Sequence, residues 1–335
     1  LESLKQKNEI KKLGAQGSSL AKARELIAAR SLPRAISMLN SIINKQPDNI
    51  LARLHLAEAH KESGELREAR KVLEDCRASH SQNIELLFAL ADINLRLGSE
   101  TSAYDNISLV LKQEPENVRA LSELRDRCVS LGRFNDAVSY QQTIVKQVTG
   151  EAQEEAQDIL CELEVKSIEN DKAISEDERR TLLRSIVRRH KANAYALLHL
   201  GNSENAMGDQ KLATRYYEKS FMASGKKEPL EKIASICLAK GKEEEALGLV
   251  KSCIADYKSN HEKCDEGDIY LINLLASMGR LDDAEKQVAV IRNRPLISDK
   301  LNSQLSYLEG IVLKKRGNTS GAMHQFQSAV EAISQ

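Results

Sequence analysis

Seven pairs of glycine and alanine, each separated by five residues, constrain the fold of this chain more than any other feature. The first three pairs follow one another at a fixed 34-residue period. A turn residue and a small residue repeated in this register indicate a stack of similar two-helix repeats, in which each repeat packs on its neighbours. The pairs are Gly64/Ala69, Gly98/Ala103, Gly132/Ala137, Gly208/Ala213, Gly241/Ala246, Gly279/Ala284 and Gly317/Ala322.

Within each repeat the two residues have different expected tasks. The glycine stands where the first helix ends, because it accepts the left-handed backbone of a helix terminus without a Cβ penalty. The alanine stands on the second helix at its closest crossing with the first, where a larger side chain would push the helices apart.

The composition supports a helical stack of this kind. The 335 residues include only five prolines, no tryptophan and 4% aromatic residues, which suits a shallow core of Leu, Ala and Ile. A stack can reach this length without splitting into separate globular cores, since it buries surface only between neighbours. The 49 basic and 49 acidic residues cancel, so no net charge favours nucleic acid as a partner.

We therefore predict an all-α, right-handed superhelical solenoid of about nine helix–turn–helix repeats. Residues 1–15 are expected to form a Lys-rich lead helix, residues 16–151 repeats one to four, and residues 194–335 repeats six to nine. Repeat one lacks the glycine but keeps Ala35, which lies 34 residues before Ala69. The later loops are expected to lengthen, near 259–267 and 293–300.

Residues 152–193 are expected to form an irregular fifth repeat without the glycine–alanine pair. Its first helix should run from about 151 to 167 and its second should end near Arg189, with a polar loop over 169–177 between them. A break between two ordinary domains at this loop is the alternative interpretation.

Several residues resemble the consensus of tetratricopeptide repeats. The stretch His199–Leu200–Gly201 with Gly208 matches the first-helix pattern of that family, and Ala213-x-x-x-Tyr217 matches the second-helix pattern. Ala322-x-x-x-Phe326 repeats the second pattern, and Pro47 and Pro115 stand at the position of the terminal proline. The resemblance covers most of the chain. It implies a helical scaffold whose first helices line a concave face that binds other proteins.

A narrower resemblance is to the cytoplasmic repeat region of the bacterial lipopolysaccharide assembly protein B family. The similar features are the Lys-rich lead segment, the four repeats after it, and the irregular helix that carries Cys161–Glu162–Leu163. The resemblance implies an adaptor that regulates lipopolysaccharide synthesis by presenting a client enzyme to a membrane protease. It also implies a membrane helix upstream of Leu1 and a zinc module of two C-x-x-C knuckles downstream of Gln335.

The candidate binding surface follows from positions that repeat on the first helices. Glu58, Asp92 and Asp126 are three acids at the 34-residue period. An acidic row beside apolar residues would suit a peptide or folded client carrying Lys or Arg and apolar anchors. Chance alignment on a solvated face is the alternative. The candidate partner-binding residues are Leu54, Glu58, Phe88, Asp92, Leu95, Asp126, Val129 and Asn202.

Acids on this face disfavour capture of a C-terminal carboxylate, as in the chaperone cofactors that share the fold. A general scaffold for an unrelated assembly or secretion complex is the alternative function. An enzyme regulated by appended repeats is a third class.

The residue patterns of catalysis and metal binding are not found in the sequence. It contains no phosphate-binding glycine loop and no H-E-x-x-H pair, so we expect no enzyme activity and no small-molecule substrate. Cys253, His261 and Cys264 have a metal-ligand spacing, but a structural zinc site requires four ligands. We therefore expect no metal and no cofactor. The basic run Arg184, Arg188, Arg189, His190 and Lys191 is either a docking edge for acidic partners or a solvated helix end.

Cysteine usage and hydropathy bear on the compartment. The six cysteines form no C-x-x-C pair and are expected to be free, which favours the cytoplasm. No apolar run in the chain is long enough to span a membrane. The resemblance implies a tether to the inner membrane through the segment upstream of Leu1, and with it a membrane-protein partner.

Overall fold

A computed structural model describes residues 19–295 and 297–332, and every regular element in these residues is a helix. The helices follow one another as nine antiparallel pairs, which confirms the prediction of an all-α chain of helix–turn–helix repeats. The predicted lead helix at 1–15 lies outside the described residues. The chain divides into two compact bodies, the N-terminal body at Leu1–Ala156 and the C-terminal body at Gln157–Gln335.

The N-terminal body holds the first four repeats. Consecutive helices pack on one another, and the first helix of repeat two also contacts the first helix of repeat three. The helices are α1 (19–28), α2 (Leu32–Lys45), α3 (Ile50–Glu62), α4 (Leu66–Ser79), α5 (Ile84–Arg96), α6 (Glu100–Gln113), α7 (Val118–Ser130) and α8 (Phe134–Gln147).

The C-terminal body holds repeats six to nine and most of repeat five, whose first helix, α9 (Glu151–Asn170), spans the division at Ala156. The division therefore falls inside a helix, not at the loop over 169–177. The remaining helices are α10 (Glu176–Arg189), α11 (Ala194–Ala206), α12 (Gln210–Ser224), α13 (Lys227–Leu238), α14 (Glu243–Asn260), α15 (Asp265–Ser277), α16 (Leu281–Arg292), α17 (Asp299–Lys315) and α18 (Thr319–Glu331).

The seven glycines end the first helices as expected. Their φ angles lie between 69° and 87°, in the left-handed region. At each, the N–H of the residue after the glycine donates to the carbonyl five residues earlier in the chain, as Glu65 does to His60 at 2.8 Å. This bond is the signature of the Schellman motif, which satisfies a carbonyl that the helix end would otherwise leave unpaired.

Repeat one uses the same turn without a glycine. Arg30 takes φ 57°, and the N–H of Ser31 donates to the carbonyl of Leu26 at 2.8 Å. The feature that the turns of all these repeats share is therefore a residue in the left-handed backbone conformation five positions before the alanine. In repeat one an arginine adopts it, although this conformation costs a residue with a Cβ roughly 1–2 kcal/mol.

The alanines lie at the helix crossings, as the sequence predicted. All seven are buried, with at most 2% of their surface exposed. In the N-terminal body, Ala69 belongs to an apolar cluster with Leu73 and Leu86, and Ala103 belongs to one with Leu87 and Ile107. The core is thus a series of small clusters between adjacent helices, which suits a chain with few aromatic residues.

Candidate functional site

The first helices of repeats two, three and four form a groove of about 560 Å³ in the N-terminal body, which we call the N-terminal groove. Helices α3, α5 and α7 supply all of its lining except one residue of α6. The lining residues are Leu54, His55, Glu58, Lys61, Glu85, Phe88, Ala89, Asp92, Leu95, Tyr104, Arg119, Glu123 and Asp126.

An asparagine at the start of each first helix fixes where the helix begins. Asn49, Asn83 and Asn117 accept hydrogen bonds from the third N–H of α3, α5 and α7 at 2.9–3.0 Å. These N-caps recur at 34 residues, as do the glycine turns at the other end of each helix. Equivalent residues of the three helices therefore reach the same face of the body.

Six of the eight predicted partner-binding residues line the N-terminal groove. These are Leu54, Glu58, Phe88, Asp92, Leu95 and Asp126. The structure does not bring the other two to it. Val129 is half-buried outside the lining, and Asn202 lies in the C-terminal body, where its Oδ1 accepts a hydrogen bond from the Tyr217 hydroxyl at 3.0 Å. Asn202 thus has a packing role in repeat six.

The three acids of the row are paired within the chain. Lys61 Nζ lies 2.6 Å from Glu58 Oε2 and 3.2 Å from Asp92 Oδ2, so it joins two consecutive repeats. Burial alone would lower the pKa of Lys61, but the hydrogen bonds to the two carboxylates raise it above its ordinary value. Arg96 contacts Asp92 at 3.1 Å, and Arg125 contacts Asp126 at 2.7 Å.

Phe88 lines the groove under a cation. Only 4% of its surface is exposed, and it belongs to the apolar cluster of Leu87 and Ala103. The Arg119 guanidinium lies 3.9 Å from the centroid of its ring. Arg119 also contacts Glu123 Oε1 at 3.3 Å. The expectation that acids occupy this face in place of cations is therefore wrong in part, since Lys61 and Arg119 share it. Phe88 and Arg119 therefore form a cation–π pair within the groove lining.

His55 stands at the repeat-two end of the groove. Burial and the nearby Arg24 lower its pKa below the ordinary value, while Glu58 acts in the opposite direction. The imidazole is therefore neutral at physiological pH, and it adds no positive charge to the groove.

Sequence reasoning missed several lining residues, although the helical period could have identified them. Glu85 and Arg119 lie seven residues before Asp92 and Asp126, and Ala89 and Glu123 lie three before. Residues at these spacings share a helix face. A search of the residues one and two helical turns before Asp92 and Asp126 would have identified all four.

Of the residues with metal-like spacing, the two cysteines are buried and the histidine contacts Tyr257. His261 stacks on Tyr257, with ring centroids 4.1 Å apart, and its Nδ1 lies 3.1 Å from the Tyr257 carbonyl oxygen. Burial raises the thiol pKa of Cys253 to about 12 and that of Cys264 to about 11. Over 19–295 and 297–332, no three His, Cys, Asp or Glu side chains are grouped so that they could hold a metal ion.

The basic run at the end of α10 is used within the chain. Arg184 contacts Glu204 of α11 at 2.6 Å, and Arg189 contacts Glu164 of α9 at 2.8 Å. The Glu204 side chain is only 1% exposed. Two of the five basic residues are therefore intramolecular partners, which reduces the edge available for docking. Within the described part of the chain, no helix has the length and hydropathy of a membrane span.

Comparison with known proteins supports the helical-repeat fold. Residues 26–93 match the family model described as "Tetratricopeptide repeat". The C-terminal part of a TPR repeat-containing protein from Cytophaga hutchinsonii is similar in structure, with a TM-score of 0.50 and 16% identity, over 74% of this chain and 98% of that one. This likeness shows the fold.

Two further solved structures have lower scores. A tetratricopeptide repeat protein from Parabacteroides merdae has a TM-score of 0.39 and 19% identity, over 78% of this chain and 98% of that one. YrrB, a TPR protein with an unusual peptide-binding site, has a TM-score of 0.40 and 16% identity, over 56% of this chain and 92% of that one. No curated protein matches the chain at the sequence level.

Proposed function

We propose that this chain, a tetratricopeptide repeat protein by its fold and by residues 26–93, is a non-enzymatic adaptor that binds a protein partner in the N-terminal groove. The observation that carries the proposal is the meeting of three equivalent helix faces in one cavity of about 560 Å³. The lining combines four apolar residues with seven charged ones, which suits a protein partner that carries apolar anchors and complementary charge.

Photo-crosslinking tests the proposal directly. A photoreactive amino acid at Leu95, which is 37% exposed and lines the groove, should form a covalent adduct with the native partner. The matched control is the same amino acid at Leu131, which is 51% exposed at the end of α7 and outside the lining. We expect an adduct from position 95 and none from position 131.

The triple variant Glu58→Gln, Asp92→Asn, Asp126→Asn adds a second arm to this test. It should reduce the Leu95 adduct while the helical circular dichroism stays unchanged, because exposed ion pairs contribute little stability. Equal adduct yields from positions 95 and 131, or a yield that the triple variant leaves intact, would place the binding face elsewhere.

A narrower proposal concerns the biological task. The order of the lead segment, the four repeats and the irregular helix with Cys161 is similar to that of the lipopolysaccharide assembly protein B family. On this basis the adaptor would lie in the cytoplasm, tethered to the inner membrane upstream of Leu1. It would regulate lipopolysaccharide synthesis by presenting a client enzyme to a membrane protease. Within the residues of this chain we expect no cofactor for this task.

The gene sequence that flanks the chain separates this proposal from the general one. An apolar run of about 20 residues upstream, long enough to span a bilayer, with two C-x-x-C pairs downstream would support the narrower task. A secretory signal upstream would instead support a scaffold for a secretion or assembly complex. Either result leaves the binding role of the N-terminal groove to the crosslinking experiment.

A further inference from the structure

The charges of the N-terminal groove are unbalanced. Its lining holds five carboxylates and two cations, and the histidine among them is neutral at physiological pH. Arg96 and Arg125 add two cations from outside the lining, so five carboxylates face four cations. Glu85 is exposed, and no ion pair to it is found within the described residues. The excess of negative charge favours a partner segment that carries Lys or Arg.

The hydrogen-bonding groups of the lining bear on the partner's backbone. Tyr104 is the one hydroxyl among the described lining residues, and none of them carries a side-chain amide. The other polar side chains of the lining are a histidine and charged groups, and four of its five carboxylates are paired with cations of the chain. The backbone N–H and C=O groups of an extended segment would have to compete with these pairs. An α-helix satisfies these groups internally and needs only side-chain contacts.

The spacing of the repeats also matches a helix. Helices α3 and α5 are in contact, and packed helices lie about 8–10 Å apart. Two turns of an α-helix contain about seven residues and rise roughly 10.5 Å, so residues i and i+7 lie on the same face. In a β-strand, about three residues at 3.3 Å each span the same distance, but they place the second side chain on the opposite face.

We propose that the occupant of the N-terminal groove is an amphipathic helix with Lys or Arg at positions i and i+7. Apolar residues at i+3 and i+4 of this helix contact Leu54, Ala89 and Leu95. The inference deepens the proposed function and rests on it, because it names the chemistry of the partner for the same site. The cations of the bound helix pair with the groove acids, as Lys61 and Arg96 already do within the chain.

A set of synthetic peptides tests the inference on the full chain. The probe is a fluorescent Ala-rich peptide of about 20 residues, long enough to populate a helix, with Lys every seventh residue and Leu at the intervening i+3 and i+4 positions. One control replaces each Lys by Glu. A second keeps the composition but distributes the Lys residues around the helix, and a third places Lys every third residue between prolines to hold the segment extended.

The protein variants are matched in charge. The groove variant is Glu58→Gln, Asp92→Asn, Asp126→Asn. The control variant is Asp75→Asn, Asp105→Asn, Glu116→Gln, which removes three exposed carboxylates of the same body outside the groove lining. Fluorescence anisotropy at low and physiological salt gives the dissociation constants.

We expect the helical probe to bind the unmodified chain at least about tenfold more tightly than any control peptide. The groove variant should lose about tenfold, and the control variant less than about twofold, as expected for the loss of several exposed ion pairs. Groove-dependent binding of the extended peptide in place of the helix would overturn the inference and leave the proposed function standing. Peptide binding that both variants weaken equally would also overturn it. Failure of the proposed function itself would appear separately, as loss of the Leu95 crosslink preference.

Discussion

At the scale of single residues, the packing of repeat six shows why some glycines are required by space and not by backbone conformation. Gly201 lies inside α11, and a Cβ built on it would be 2.6 Å from Cε1 of Tyr217, whose side chain is 1% exposed. Gly201 and Tyr217 are the residues that matched the first-helix and second-helix patterns of tetratricopeptide repeats, and the structure brings them into contact. Because Tyr217 is buried, a Cβ at position 201 would force its ring against the surrounding core.

We predict that Gly201→Ala destabilises the C-terminal body although alanine favours helix. Overpacking should cost ~1–3 kcal/mol of unfolding free energy. The matched control is Gly248→Ala in α14, where a Cβ would meet nothing within 4 Å. That change should stabilise by about 0.5–1 kcal/mol, because glycine weakens a helix interior. Urea unfolding followed by circular dichroism measures both, and stabilisation by both substitutions would contradict the packing argument.

At the scale of helices and their pairs, the sequence predicted the elements well because their ends are coded locally. The glycine turns, the crossing alanines and the bounds of α10 all follow from short-range backbone and packing rules. The loops were predicted less well. The expected loop over 259–267 is confined to 261–264, because α14 extends to Asn260 and α15 begins at Asp265.

Contacts between helices could not be predicted in the same way. The covering of Phe88 by Arg119 joins residues 31 positions apart, and the pairing of Lys61 with Asp92 has the same separation. Each depends on the rotamers of long side chains, which a repeat period does not fix. The sequence therefore identified the acidic row but not the cations that neutralise it, and it assigned Arg184 to a surface edge.

The pair of Arg184 and Glu204 leads to a prediction at this scale. Glu204 is buried on α11, where it contacts Arg184 and, at 3.9 Å, Arg180 of α10. Arg184→Ala would leave a buried carboxylate short of its closest partner, which costs about 3–5 kcal/mol when a buried pair is broken outright. Because Arg180 remains and Arg184 is partly exposed, we expect a loss of about 1–3 kcal/mol.

Arg188→Ala is the control, since Arg188 is exposed on the same helix and belongs to the same basic run. Its substitution should change the unfolding free energy by less than about 0.5 kcal/mol. Thermal unfolding of the two variants at one pH measures the difference in their unfolding free energies. If Arg188→Ala destabilises as much as Arg184→Ala, the run contributes through general helix-end charge and not through the buried pair.

At the scale of the whole molecule, the division into two bodies predicts where a local defect will be felt. Repeat proteins depend on nearest-neighbour contacts, so damage in one body should not spread evenly along the chain. The six thiols can report this, because all are buried and the chain distributes them over both bodies. A buried thiol reacts with an alkylating reagent only when its surroundings open.

The substitution Ala103→Leu provides the defect. Ala103 is 0% exposed at the crossing in repeat three, so the larger side chain should cost ~1–3 kcal/mol in the N-terminal body. We expect faster alkylation of Cys76 and Cys128, which lie in that body, as measured by mass spectrometry of peptides after timed labelling at neutral pH. Cys253, in the C-terminal body with its thiol pKa raised to about 12, should react at the unmodified rate. The control Ala78→Leu, at an exposed site on α4, should leave all three rates unchanged. Uniform acceleration across both bodies would mean that the chain opens as one cooperative unit, because the energetic cost of a single overpacked crossing would then have reached helices that do not touch it.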